Sequence, residues 1–162
     1  TSQAAAIDMS DRALVASIVS TEHPIIYPLV CKRVASLRGV TRVTEKFKRE
    51  LAQCMSIFHI ENDANGPVVW MTDEARDAFK GYRASAGLDI TEIPLVEIKN
   101  VVIEAIKEQL SLDTANLTLV AAKKLGYTRR GTNVETSLNR AVDQLKAEGH
   151  IEEVNGKLRM KE

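Results

Sequence analysis

Apolar positions along the chain fall into helical stripes, and the stripes occur twice. Leu14, Val15, Ile18 and Val19 share one face of a helix, and so do Val101, Val102, Ala105 and Ile106, 87 residues later. Val30 and Val34 recur at the same interval as Leu117 and Ala121, although Leu37 then meets Lys124. Phe47, Leu51, Cys54, Met55 and Phe58 map onto Val134, Leu138, Ala141, Val142 and Leu145, which predicts a long third helix in each copy. Between the second and third stripes stands one tetrapeptide pattern, Gly39-Val40-Thr41-Arg42 and Gly126-Tyr127-Thr128-Arg129.

After the third helix both copies read His-Ile-Glu, at residues 59–61 and 150–152. That interval is 91, so the second copy carries about one more helical turn. Asn65-Gly66 then leads into Val68-Val69-Trp70, and Asn155-Gly156 into Leu158-Arg159-Met160. Asn-Gly between extended segments is a strong hairpin cue. Residues 25–27 and 111–113 are candidates for a brief third strand in each copy. Helix, short link, helix, tight turn, long helix and β-hairpin is the order of a winged helix.

The expected fold class is therefore mainly α with small β-hairpins (α+β), arranged as tandem winged helix-turn-helix repeats. A lone unit of roughly 60 residues buries only about 60% of its unfolded surface, which two packed units would improve. The expected division is a frayed tail (1–10), a first repeat (11–71), an acidic helical linker (72–94) and a second repeat (95–162). In the linker, Thr72 is placed to cap a helix that opens with Asp73-Glu74 and runs to about Tyr82, ending near Gly81 or Gly87.

Charge changes the picture through its placement. The chain holds 22 Lys and Arg against 22 Asp and Glu, which excludes a uniformly cationic coat or a polybasic membrane anchor. Yet residues 30–50 carry seven bases and two acids, residues 121–146 six bases and two acids, and residues 61–92 seven acids and three bases. Both basic stretches cover a helix-turn-helix, where a footprint on a phosphate backbone belongs.

On the predicted third helices, Arg42, Lys46, Arg49 and Gln53 point away from the apolar face, and their counterparts are Arg129, Asn133, Thr136 and Arg140, with Arg130 beside them. These residue types reach phosphates or base edges, and in a helix-turn-helix this face enters the major groove. The same stripe is also what any amphipathic helix presents to solvent. Thr41 and Thr128 are expected as N-caps, and Gly39 and Gly126 as turn glycines at positive φ. The wings are poorly armed: residues 62–65 hold no base, and the second turn offers only Lys157.

Other chemistry is sparse. Aromatics are 4% of the chain, too few for a surface that stacks single-stranded bases. Cys31 and Cys54 lack partners at zinc-ligand spacing, which leaves them free or joined in a disulfide. Among the histidines, His59 and His150 open equivalent strands and read as packing or hydrogen-bonding residues. Phosphate-loop, G-x-S-x-G and H-E-x-x-H motifs do not occur. The acid pairs Asp73-Glu74 and Glu152-Glu153 read as solvated, without partner bases, and Trp70 as a packing residue. The longest apolar run, residues 25–31, is far short of a membrane helix, which needs about 18 residues. With Thr1 rather than Met first, the chain reads as a piece of a longer protein in a reducing, cytoplasmic setting.

Three features together resemble a known family. They are the repeated G-x-T-R after Arg33-Val34-Ala35-Ser36-Leu37-Arg38-Gly39, the Val68-Val69-Trp70 close of the first hairpin, and Ile93-Pro94-Leu95-Val96-Glu97-Ile98. The family is the uncharacterised C-terminal domain of very large bacterial superfamily-one helicase-like proteins, in which a restriction-endonuclease-like domain often precedes this module. The resemblance spans residues 11–160 and implies an accessory module on a nucleic-acid-processing machine. It carries over no ATP-binding or nuclease residue. Family members often have an aromatic before the repeated glycine, where this chain has Arg38 and Leu125.

The expected function is non-catalytic binding of double-stranded nucleic acid, DNA before RNA, within a larger helicase- or nuclease-type protein. The competing expectations are a protein-interaction or scaffold module of the same parent and, more weakly, a transcriptional regulator. Other domains of the parent chain are expected partners; no cofactor, metal, small-molecule ligand or membrane contact is expected.

Overall fold

The computed structural model describes residues 10–83, 87–129 and 131–162. The fold is mixed α+β, with seven α-helices and two small antiparallel sheets among the described residues. It divides into two compact units at the Phe79/Lys80 boundary.

The first unit runs α1 (Asp11–Glu22), β1 (Ile25–Ile26), α2 (Tyr27–Leu37), α3 (Glu45–Ala52), β2 (His59–Asp63), β3 (Gly66–Trp70) and α4 (Asp73–Ala78). Ser10 starts α1 by accepting the Ala13 N–H at 3.1 Å. Leu14, Val15, Ile18 and Val19 are buried, as are Leu29, Val30, Cys31 and Val34 of α2. The strand order is β1-β3-β2, with Val69 opposite both Ile25 and Ile60. Thr72 caps α4 by accepting the Ala75 N–H at 3.0 Å. That helix stops at Ala78, short of the expected end near Tyr82, where Phe79 turns to extended backbone and stands edge-on to Trp70 with ring centroids 5.3 Å apart.

The second unit runs through a 3-10 turn (Ile90–Glu92), α5 (Leu95–Gln109), α6 (Thr114–Leu125), α7 (Thr132–Ala147), β4 (Ile151–Val154) and β5 (Lys157–Met160). Its core takes Val101, Val102, Ala105 and Ile106 from α5, Leu117 and Ala121 from α6, and Val134, Leu138, Ala141, Val142 and Leu145 from α7. Leu112 makes an isolated bridge to Leu158, exchanging bonds of 3.1 and 2.6 Å. This bridge stands where β1 stands in the first unit, because Leu112 follows Ile25 by 87 residues. Each unit thus has the order helix, extended link, helix, helix, hairpin, with the link antiparallel to the last hairpin strand.

The second and third helices meet through the same backbone device. Gly39 has φ 70° and Gly126 φ 94°. Around them Val40 donates to the Ala35 carbonyl at 2.8 Å and Tyr127 to the Ala122 carbonyl at 2.9 Å. These six-residue closures are Schellman bonds, which need a left-handed residue inside them.

The third helices differ from expectation. Alpha-3 ends at Ala52, so Cys54, Met55 and Phe58 do not lie on it. Cys54 instead bonds back to Leu51 at 2.9 Å, Met55 to Ala52 at 3.1 Å and Phe58 to Met55 at 3.1 Å. Successive three-residue turns place apolar side chains inward much as a helix does, and Cys54 and Met55 are buried. Both cysteines are free. The hairpin turns differ too. Asn155 (φ 54°) and Gly156 (φ 78°) form the two-residue turn between Val154 and Lys157, as their sequence implies. In the first hairpin Asp63 pairs with Gly66, so Ala64-Asn65 turns the chain while the Asp63 carboxylate accepts the Asn65 N–H at 2.7 Å.

Candidate nucleic-acid interface

The helix starts locate the arginines of the repeated tetrapeptide. Thr41 and Thr128 do not cap the third helices. Thr44 caps α3, accepting the Phe47 N–H at 3.1 Å, and Gly131 stands at the N-cap of α7 with no side-chain acceptor. A cap needs extended backbone just before the helix, and Thr44 (ψ 166°) and Gly131 (ψ 172°) are the residues that have it. Arg42 and Arg129 therefore sit in the connecting loop, both exposed, three residues before their helices begin.

Lys46 and Arg49 project from α3, and Gln53 is its C-cap residue; all three are exposed. Asn133, Thr136 and Arg140 follow one another at i, i+3 and i+7 along α7, also exposed. Arg130 lies outside the described residues.

Folding pairs part of the positive charge counted along the sequence. In the first unit Arg33 grips the Glu22 carboxylate with two bonds of 3.1 Å, and Arg38 reaches Asp11 at 2.7 Å. Lys46 lies 3.9 Å from Glu50, and Lys48 lies 3.4 Å from Glu45. In the second unit Lys124 pairs with both Glu104 (3.2 Å) and Glu108 (2.7 Å). Lys146 pairs with Glu153 and Arg159 with Glu152, each at 2.9 Å. Arg42, Arg49, Arg129 and Arg140 make no ion pair with a described residue.

At the start of α7 the backbone adds its own contribution. A cleft of about 420 Å³ is lined by Tyr127, Arg129, Gly131, Asn133 and Asp89, among others. The first N–H groups of a long helix are bare where Gly131 supplies no side chain, and they favour an anion. Arg129 adds a full positive charge beside them, while Asp89 adds a negative one. Hydrogen bonds from the Thr91 backbone N–H and hydroxyl, at 3.0 and 2.7 Å, hold the Asp89 carboxyl below its usual range. Tyr127 lines the cleft, its hydroxyl donating to the Leu88 carbonyl at 2.8 Å. Burial pushes its pKa up to about 12.

Several polar arrangements escape a reading by sequence spacing. Asp73 and the pair Glu152-Glu153 do have partner bases. His59 lies 2.6 Å from Asp73 through Nδ1 and 2.9 Å from an Arg76 nitrogen through Nε2, and Arg76 also bonds Glu61. Glu97 is buried on α5, accepting the Arg83 backbone N–H at 2.9 Å and its Nε at 3.3 Å. Burial raises the Glu97 pKa against the opposing pull of Arg83. The available signal was positional, since Glu97 precedes Val101 by four residues on the apolar stripe. In the first unit the Tyr27 hydroxyl bonds the Lys48 carbonyl, and burial raises the pKa of both Tyr27 and Cys31.

No helix among the described residues is long and apolar enough to cross a membrane. Comparisons with protein-family models, curated proteins and solved structures return no match, so the helicase-type resemblance rests on the sequence motifs themselves.

Proposed function

We propose that this chain is a non-catalytic module that binds double-stranded nucleic acid, DNA in preference to RNA, through two winged-helix units. Its context would be a larger helicase- or nuclease-type protein. The observation that carries the reading is the pattern of uncompensated charge. After the internal ion pairs are assigned, the arginines of the loop and third helix without an ion pair among the described residues are Arg42 and Arg49 in one unit and Arg129 and Arg140 in the other. They fall on the loop and helix that a helix-turn-helix turns toward the duplex. Loop arginines position the backbone, and Gln53, Asn133 and Arg140 are of the type that reads base edges.

Duplex binding titrated against salt tests this. Each phosphate contact contributes about 0.9 to the slope of log affinity against log salt. The Arg42→Ala/Arg129→Ala variant should lower the slope by roughly 2 relative to wild type, weakening all duplex sequences alike. An unchanged slope removes these loops from the interface.

A second reading, a scaffold between other domains of the parent protein, is favoured by the wings. In the second hairpin Arg159 is spent on Glu152, while Lys146 of α7 pairs with Glu153, which leaves the hairpin turn with Lys157. The first turn presents Asp63 and Asn65. No duplex binding at low salt, together with a stable contact to another parent domain, would support it.

A further inference from the structure

The second unit also contains a groove that duplex binding leaves unused. It runs along α5 with a volume of about 680 Å³, its apolar lining formed by Ile103 and Met160 and its charged lining by Lys80, Glu104, Lys107 and Glu108. The two carboxylates share a single base of the fold. Lys124 pairs with both, and the Tyr82 hydroxyl donates to Glu104 at 2.5 Å. Lys80 and Lys107 are exposed and make no ion pair with a described residue, so with Lys124 three bases stand against two acids and the groove keeps one net positive charge. The wall that bears Lys80 is held in place, because Asn100 on α5 donates to the Gly81 carbonyl at 2.8 Å.

One further residue conflicts with the logic of an isolated unit. Leu110 is the C-cap residue of α5, three positions after Lys107 and beyond the residues that line the groove. It is 81% exposed. Its backbone has φ 66° and ψ −36°, a region that L residues rarely adopt and glycine tolerates. A large apolar side chain that is both solvated and strained gains nothing within the unit. Such local conflicts cluster at functional sites.

We propose that this groove docks an acidic peptide segment carrying an apolar anchor. Ile103 and Met160 receive the anchor, Leu110 extends the apolar contact past the end of α5, and Lys80 and Lys107 meet the flanking carboxylates. The assignment is independent of duplex binding, since it uses none of the residues placed in that interface.

The test uses the full chain and a short fluorescein-labelled peptide of Glu and Leu, with Leu at i, i+4 and i+7. Anisotropy should report saturable binding, and NMR shifts should centre on Ile103, Leu110 and Met160. Lys107→Glu should weaken binding about tenfold. Leu110→Gly should weaken it comparably while leaving the melting temperature equal or higher, because glycine accepts the left-handed backbone. That combination separates loss of docking from loss of fold. Four results would overturn the proposal: absence of saturation, equal binding by the peptide with Lys in place of Glu, shifts confined to other faces, or indifference to both substitutions. Binding to phosphatidylserine vesicles but not to the peptide would do the same, reassigning the lysines to lipid headgroups.

Discussion

Tyr127 donates its backbone N–H to the carbonyl of Ala122 across 2.9 Å, closing α6 around a left-handed Gly126. Val40 and Ala35 make the equivalent bond at 2.8 Å around Gly39. The repeated glycines thus fix how each second helix hands the chain to its arginine loop. A side chain at Gly126 (φ 94°) meets the steric penalty of the left-handed region. Gly126→Ala should therefore cost about 1–2 kcal/mol in urea denaturation, and Gly39→Ala a similar amount. A loss of only a few tenths at both sites would mean that the turns relax without strain.

The two threonines before α3 should behave differently. Thr44 accepts the Phe47 N–H, whereas Thr41 lies exposed in the preceding loop. Removing a working N-cap costs about 1 kcal/mol, so Thr44→Ala should lower stability by that amount. Thr41→Ala, a surface change away from the cap, should stay within about 0.5 kcal/mol. Equal losses would return the helix start to the tetrapeptide.

The helices and their order were legible because the apolar stripes recur at one interval. Leu14, Val15, Ile18 and Val19 are buried, as are their counterparts Val101, Val102, Ala105 and Ile106. The short link strand was legible too, since Ile25 and Leu112 both pair across to the last hairpin strand. Helix ends were not. An i+3/i+4 apolar pattern cannot distinguish α-helix from consecutive three-residue turns, which is how Cys54 and Met55 reach the core beyond Ala52. Net charge along the chain was a poor guide to surface charge, because the partners lie far off in sequence. Arg38 finds Asp11, and Lys124 finds Glu104 and Glu108. The candidate interface consequently narrows from a basic stretch to individual arginines.

Glu97 should make stability depend on pH in an unusual direction. Burial raises its folded pKa above the ordinary carboxyl value, so the native state holds this proton more tightly than the unfolded chain does. Its contribution is fully present below the unfolded value, near pH 4.3, and is lost as pH rises through the folded value. Glu61 and Glu104 lie on the opposite side, held low by hydrogen bonds from His59 and Arg76 and from Tyr82. Their contribution is lost as pH falls, so the comparison has to be made against Glu97→Gln. Wild type should gain stability relative to that variant as pH drops from neutral toward about 4.3, read from urea midpoints. A difference that stays constant with pH would mean Glu97 ionises as freely in the fold as outside it.

Gly131 offers a substitution in which stability and binding should move apart. Its φ of −71° suits any L residue, and a Cβ there would meet nothing within 4 Å. An aspartate at the N-cap can accept a free N–H of α7 and place negative charge at the positive end of its dipole. Gly131→Asp should therefore stabilise the chain by about 0.5 kcal/mol, since glycine is already a tolerable cap. The same carboxylate would occupy the cleft beside Arg129, where the proposed phosphate contact lies. Duplex affinity should fall and the salt slope should drop by about 1, the loss of a single phosphate contact. Gly131→Ser, which caps without charge, should stabilise the helix while sparing most of the affinity. If Asp and Ser variants bind duplex equally well, the start of α7 does not face phosphate.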